Sequence, residues 1–238
     1  MGEFQLVPGL LTLKEVEHLL ESDSSLVLSQ DALAKIQMSC KVLKELVATH
    51  KPMYGVNTGF GKLASVKIAD KDLASLQERL ILSHSAGVGE DLPDSITALI
   101  LLLKVNSLAQ GYSAIRLEVI ESLLKLYNGK FFPCIPSKGS VGASGDLAPL
   151  AHCSAVLMGE GHCRFDGEKI PAKEVVQKLK IDIMPFLPKE GLALLNGTQA
   201  STAIAVEALF KTQRLFETAL ISGAMTLDAA CGSDNPFD

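Results

Sequence analysis

The chain has 238 residues, with 22 Lys and Arg against 27 Asp and Glu for a net charge of −5. A protein that grips nucleic acid by neutralising phosphates carries a basic excess or a basic stripe, which this composition excludes. At 47% hydrophobic and 21% charged residues, the chain can bury a real core in one large or two small domains and is not a disordered sequence.

With no Trp, three Tyr and nine Phe, that core must be built from Leu, Ile, Val and Ala, which favours packed helices. Cys40, Cys134, Cys153, Cys163 and Cys231 are widely spaced without a CxxC, so they predict reduced thiols in a cytoplasm and not a secreted disulfide framework. The start of the chain holds Glu3, Glu15 and Glu17 and lacks the basic-then-apolar layout of a signal peptide. The uninterrupted apolar run from Ala98 to Leu103 is far short of the ~20 residues that cross a bilayer, so it predicts a buried helix and no membrane partner.

In chain order, Thr12 stands as N-cap of a first short helix, with Glu15 three residues on as its capping-box partner. Leu33, Ile36, Val42, Leu43 and Leu46 form the stripe of a second helix over residues 30–49. From Pro52 to Gly61, PMYGVNTGFG is glycine-rich and predicts an irregular loop, the kind of segment that often carries function. Three helices follow. The first carries Leu73, Leu76, Leu80 and Ile81 on one face, the second is the very apolar stretch after Pro93, placed in the middle of the fold, and the third carries Ile120, Leu123, Leu124 and Tyr127.

A second irregular zone, PCIPSKGSVGASGD from Pro133 to Asp146, ends with Asp146 as N-cap of the next helix. Residues 164–188 predict a surface excursion made of a hairpin and a short helix. From Asn196 to about Ala230 runs one long helix, rich in small and apolar residues, that needs partners to cover it. The expected fold is mainly α. An N-terminal domain over residues 1–195 carries both irregular loops and a few short strands or extended pieces around 54–66 and 133–142, and residues 196–238 begin a long helical bundle.

Several motif matches fail on their context. Gly59-Phe-Gly61-Lys-Leu-Ala64 spells a dinucleotide fingerprint, but no apolar strand precedes it and no βαβ alternation follows. Gly61-Lys62 is followed by Leu63 where a P-loop needs the Ser or Thr that holds magnesium. His152-Cys153 and His162-Cys163 lack zinc-ligand spacing, so no metal is expected. Asn196-Gly197-Thr198 is a glycosylation sequon without an export signal, and Gly142-Ala-Ser144-Gly-Asp146 misses the hydrolase elbow because Asp146 stands where the last glycine belongs.

What remains is Ala143-Ser144-Gly145 in its setting. KGSVGASGDLAPLAH resembles the motif of the aromatic amino acid ammonia-lyases and aminomutases. In that family the tripeptide cyclises without another enzyme into a 4-methylidene-imidazol-5-one (MIO) group, which implies Ala143, Ser144 and Gly145 as its source and no external cofactor. The residue types suit this chemistry. The amide nitrogen of Gly145 must attack the carbonyl carbon of Ala143, which needs an unhindered and tightly bent backbone, and Ser144 must lose its hydroxyl as water to leave a methylidene electrophile. The following helix N-terminus would stabilise negative charge developing there.

Three further segments resemble the same family in matching order. YGVNTGFG implies that Tyr54 is the catalytic base or a proton-transfer partner, LSHSAGVG places His84 in the substrate pocket, and KEGLALLNGTQAS places Asn196 beside the prosthetic group, which it helps to form and where it helps to hold substrate. Without the resemblance, each has a plainer reading: a loop tyrosine, a satisfied histidine at a helix end and a helix cap. Ser83-His84 resembles the histidine ammonia-lyase branch, since an imidazole can hydrogen-bond another imidazole, and implies conversion of L-histidine to urocanate and ammonia. Phenylalanine or tyrosine ammonia-lyases and aminomutases are the neighbouring alternatives.

Family members run considerably longer, and beyond the NPFD segment they supply another tyrosine loop, an arginine for the substrate carboxylate and further contacts. The resemblance therefore implies an N-terminal half of a cytoplasmic homotetramer whose active sites draw on more than one subunit. The competing reading is a chain that lost catalysis and serves as an assembly or binding subunit. The intact Ala143-Ser144-Gly145, Tyr54, His84 and Asn196 weigh against it.

Overall fold

In the computed structural model, which describes residues 2–183 and 185–237, the chain opens with strand β1 (Glu3–Leu6) and helix α1 (Leu13–Glu21). The expected capping box is present: Thr12 Oγ1 accepts from the Glu15 N–H at 3.3 Å, and Glu15 Oε2 accepts from the Thr12 N–H at 2.8 Å. Strand β2 (Ser25–Leu28) then pairs parallel to β1, with Leu6 opposite Leu28 and α1 as the crossover. Helix α2 (Gln30–Ala48) follows, capped by Ser29.

The glycine-rich segment after α2 is irregular, as its composition predicts. Extended backbone expected around 54–66 is reduced to a single bridge between Thr58 and Lys67, with a 3₁₀ turn at Gly61–Leu63 between them. Helix α3 (Leu73–His84) leads through β3 (Val88–Asp91) to α4 (Asp94–Leu108) and α5 (Leu117–Asn128). The central placement of the apolar helix holds: Leu99, Ile100, Leu101, Leu102 and Val105 are all fully buried. A helix apolar on every side is stable only when other elements surround it.

Strands β4 (Phe132–Pro133) and β5 (Pro136–Lys138) bring the chain to the second irregular loop, β5 pairing antiparallel with β3. Helix α6 (Leu147–Ala155) comes next. The surface excursion is a hairpin of β6 (His162–Phe165) and β7 (Glu168–Pro171), followed by α7 (Ala172–Lys178), with β4 completing a three-stranded antiparallel sheet. Asp166 and Gly167, both at positive φ, make the two-residue turn whose twist suits such a hairpin.

A six-residue helix, α8 (Glu190–Leu195), was not foreseen from the sequence. It is followed by α9 (Gln199–Ala229), 31 residues long and starting three residues later than the expected Asn196. The fold is mainly α with a few short strands. By internal packing the chain divides into Met1–Ala203, which holds the core described above, and Ile204–Asp238, where Leu215, Phe216, Leu220, Ile221 and Met225 of α9 stand exposed. Met1, Met184 in the expected excursion, and Asp238 at the end of NPFD lie outside the described residues. No helix among the described residues is long and apolar enough to cross a membrane.

Candidate active site

The loop between β5 and α6 presents Ala143 and Ser144 to solvent. Gly145 follows at φ +122°, a backbone conformation that L side chains rarely adopt. Space excludes a side chain as well. A Cβ on Gly145 would lie 2.8 Å from the Gly197 carbonyl oxygen, 2.9 Å from the Gly197 nitrogen and 3.2 Å from Asn196 Oδ1. Glycine at this position lets the tripeptide press directly on Asn196-Gly197, and the next residue fastens it there: the Asp146 N–H donates to the Gly197 carbonyl at 2.7 Å.

Asp146 stands at the N-cap of α6, as expected, but its side chain makes no capping bond to that helix. Its carboxylate, only 1% exposed, accepts instead from the backbone N–H of Ser201 at 2.7 Å and from Ser140 Oγ at 2.8 Å, and also from Ser201 Oγ. The first turn of α9 has N–H groups without partners in its own helix, and a carboxylate satisfies them better than a neutral cap. Burial pushes the Asp146 pKa up, but the hydrogen bonds from Ser201, Ser140 and the Ala200 N–H outweigh it and leave the pKa below its ordinary value.

Asn196 is the C-cap of α8, its N–H donating to Leu192 O at 2.9 Å. At the other end of α8, the carboxylate of Glu190 is 1% exposed and is gripped by Arg116, whose Nε and Nη2 donate at 2.8 and 2.6 Å. The same carboxylate takes the N–H groups of Arg116 and Leu187 at 3.0 and 2.7 Å. Midway along α8, Leu192 N–H reaches Gln77 Oε1 on α3 at 3.3 Å, and Lys104 Nζ donates to Ala193 O at 2.7 Å. A short helix with few bonds of its own is thus held by bonds from α3, α4 and the start of α5.

Tyr54 stands 61% exposed on its loop, its ring edge-on to Phe60 with centroids 6.0 Å apart. Buried Asn57 ties the loop together, accepting from Met53 N–H at 2.7 Å and donating to Lys51 O at 2.9 Å. Gly55, at φ +73°, lies so close to α8 that a Cβ would fall 2.3 Å from Leu192 Cδ2. Leu192 is therefore shared: its side chain seats the Tyr54 loop and its carbonyl holds Asn196.

His84 is the last residue of α3, which packs on both α6 and α8. Its Nδ1 lies 2.8 Å from the Leu80 carbonyl, which can only accept, so Nδ1 is the donor in that bond. Just beyond, Gly87 N–H donates to His152 Nε2 at 3.0 Å, tying the end of α3 to α6. The structure brings Gly145, Asp146, Asn196 and Gly197 into direct contact, connects Tyr54 to them through Leu192, and joins His84 through α3. Among the described residues, no group of three or more His, Cys, Asp and Glu is placed to hold a metal ion.

Residues 11–238 match the family model described as aromatic amino acid lyase. The chain belongs to the aromatic amino acid lyase family. A histidine ammonia-lyase of Vibrio cholerae is 50% identical over 238 residues, covering 100% of this chain and 47% of that protein. Among solved structures, histidine ammonia-lyase from Trypanosoma cruzi is 35% identical at TM-score 0.87, covering 94% of this chain and 44% of that one. The phenylalanine aminomutase of Pantoea agglomerans is 29% identical at TM-score 0.91, covering 100% and 46%. This aromatic amino acid lyase chain spans about half the length of the curated relatives it matches.

Motif reading passed over Ser140, Ser201, Glu190 and Lys104. Of these only Lys104 left a signal in the sequence, as a lone charge inside ILLLKVNSL.

Proposed function

We propose that this chain carries the electrophile-forming part of a histidine ammonia-lyase, which removes ammonia from L-histidine to leave urocanate. Gly145 carries most of the weight. Its positive φ and its closeness to Asn196-Gly197 provide the unhindered, bent backbone that ring closure between Gly145 N and the Ala143 carbonyl carbon needs, with Ser144 exposed beside it. Closure expels the Ala143 carbonyl oxygen as one water, and loss of the Ser144 hydroxyl with its α-proton expels a second. The resulting MIO group supplies an electrophilic carbon that turns the substrate amine into a leaving group.

The chain's own residues do the rest. Asn196 and the Asp146 to Gly197 bond hold the loop bent while it closes. Tyr54, exposed and braced by Phe60, moves the proton from the substrate's β-carbon. His84, its ring oriented by the bond from Nδ1 to Leu80 O, presents Nε2 to a substrate imidazole. The 50% identity to the Vibrio cholerae enzyme supports histidine as the substrate, alongside the Ser83-His84 pair. Residues 1–195 form the domain that carries both loops, and 196–238 begin the central bundle of a homotetramer.

The test is the intact mass of the purified chain beside its Ser144→Ala variant. A deficit of two waters that is absent in the variant is the expected result. Urocanate formation from L-histidine, assayed with the C-terminal half of a relative added, then tests the substrate. A full-mass parent chain would remove the support for autonomous ring closure, and a cyclised chain that processes phenylalanine or tyrosine in preference to histidine would overturn the substrate.

A further inference from the structure

Helix α4 runs through the core with most of its residues buried, yet one of its core positions is a lysine. Lys104 is 2% exposed and lies between buried Leu102 and Val105. An ammonium taken out of water is costly, and an apolar side chain of similar length would fill the same space without that cost. The position therefore calls for what the ammonium does.

Its ammonium donates to Ala193 O at 2.7 Å. Ala193 lies in the last turn of α8, where carbonyls have no N–H of their own helix to accept from and where the helix dipole is negative. A positive donor there satisfies both. Three residues later the helix delivers Asn196, whose Oδ1 faces Gly145, and then Gly197, whose carbonyl receives the Asp146 N–H. The chain of contact runs from the core through Lys104 and the end of α8 to the tripeptide loop.

We infer that Lys104 is a positioning residue: its ammonium pins the C-terminal end of α8 and so sets Asn196-Gly197 against Gly145-Asp146. The inference rests on reading Ala143-Ser144-Gly145 as the cyclising loop. Lys104 touches neither the tripeptide nor substrate and acts only through α8. Burial also pushes its pKa down to about 8, in keeping with a charge retained at a cost to the fold.

Lys104→Met in the full chain keeps the packing and removes the donor. Because an apolar residue in place of a buried charge is often neutral or stabilising, the variant is expected to fold. Hydrogen exchange then reads the two amides that report the geometry, Asn196 to Leu192 O and Asp146 to Gly197 O. Both accelerate about tenfold while those of Ile36 and Leu123 stay at parental rates. Appearance of the two-water deficit slows by a similar factor.

Parental exchange at Asn196 and Asp146, acceleration shared equally by Ile36 and Leu123, or parental cyclisation in the variant would each overturn the inference. If Lys104→Met does not fold, the parent still decides: a scalar coupling through the hydrogen bond from Lys104 Nζ to the Ala193 carbonyl carbon is expected, and its absence overturns the pinning. A parent chain that never shows the two-water deficit instead counts against the proposed function, because the exchange rates are read without it.

Discussion

Ser201 donates its backbone N–H to Asp146 Oδ2 at 2.7 Å, so the residue that closes the tripeptide loop is fastened to the first turn of α9. Asp146→Asn preserves shape but turns an N–H₂ group towards donors. Leaving those buried donors poorly matched costs on the order of 2–3 kcal/mol, and ring closure should slow with it. Urea titrations checked by intact mass measure both.

The same carboxylate predicts an acid limb. Its folded pKa lies below the ordinary value of 3.8, so the stability it adds is present above that value and is lost as pH falls through the folded pKa. The parent should lose stability there faster than Asp146→Asn, and equal slopes would remove Asp146 from the account.

Gly55→Ala sets a Cβ at φ +73° and within 2.3 Å of Leu192 Cδ2. Backbone strain and the displaced leucine together should cost roughly 2–3 kcal/mol. Leu192 also holds Asn196, so accelerated exchange at the Asn196 amide is expected in this variant; an unaffected Asn196 would separate the Tyr54 loop from α8.

At the start of α8, buried Glu190 forms a bidentate pair with Arg116, whose side chain is 19% exposed. Removing Arg116 strands the buried carboxylate, so Arg116→Met should cost about 3 kcal/mol, whereas Glu190→Gln leaves a guanidinium that still reaches solvent and Pro185 O and should cost less. The double variant should lose clearly less than the sum, as a denaturation cycle would read.

Lys104 gives an alkaline signature of the same sign in a different pH window. With a folded pKa of about 8 against an ordinary 10.5, the folded protein releases this proton first, so between those values the unfolded chain binds more protons and stability rises with pH. The rise is about 3 kcal/mol at most. Cys153, the titratable group that faces it from α6, has its thiol pushed up to about 12 by burial and stays neutral in this window. The difference between parent and Lys104→Met, followed by urea titration from pH 7 to 10, isolates the effect; parallel curves would contradict it.

Local chemistry made much of this legible. Thr12 and Glu15 announce their capping box, Asp166-Gly167 supports the hairpin, and the apolar run after Pro93 marks the central helix, because each depends on residues within a few positions of one another. The parallel pairing of β1 with β2 and the existence of α8 were not legible. Four-residue strands and a six-residue helix leave too little periodicity, and both are held by distant partners.

The candidate site divides along the same line. Sequence alone determined a mainly helical chain with two glycine-rich loops and the residue types that ring closure demands at Ala143-Ser144-Gly145, since backbone freedom and side-chain chemistry are local properties. Only the tertiary structure decided that Asp146 turns from its own helix to Ser201, and that Arg116, Gln77 and Lys104 converge on α8 from far away in the chain. Buried polar groups take whichever partner the packed core brings within hydrogen-bond reach, and that choice is made only when the helices meet.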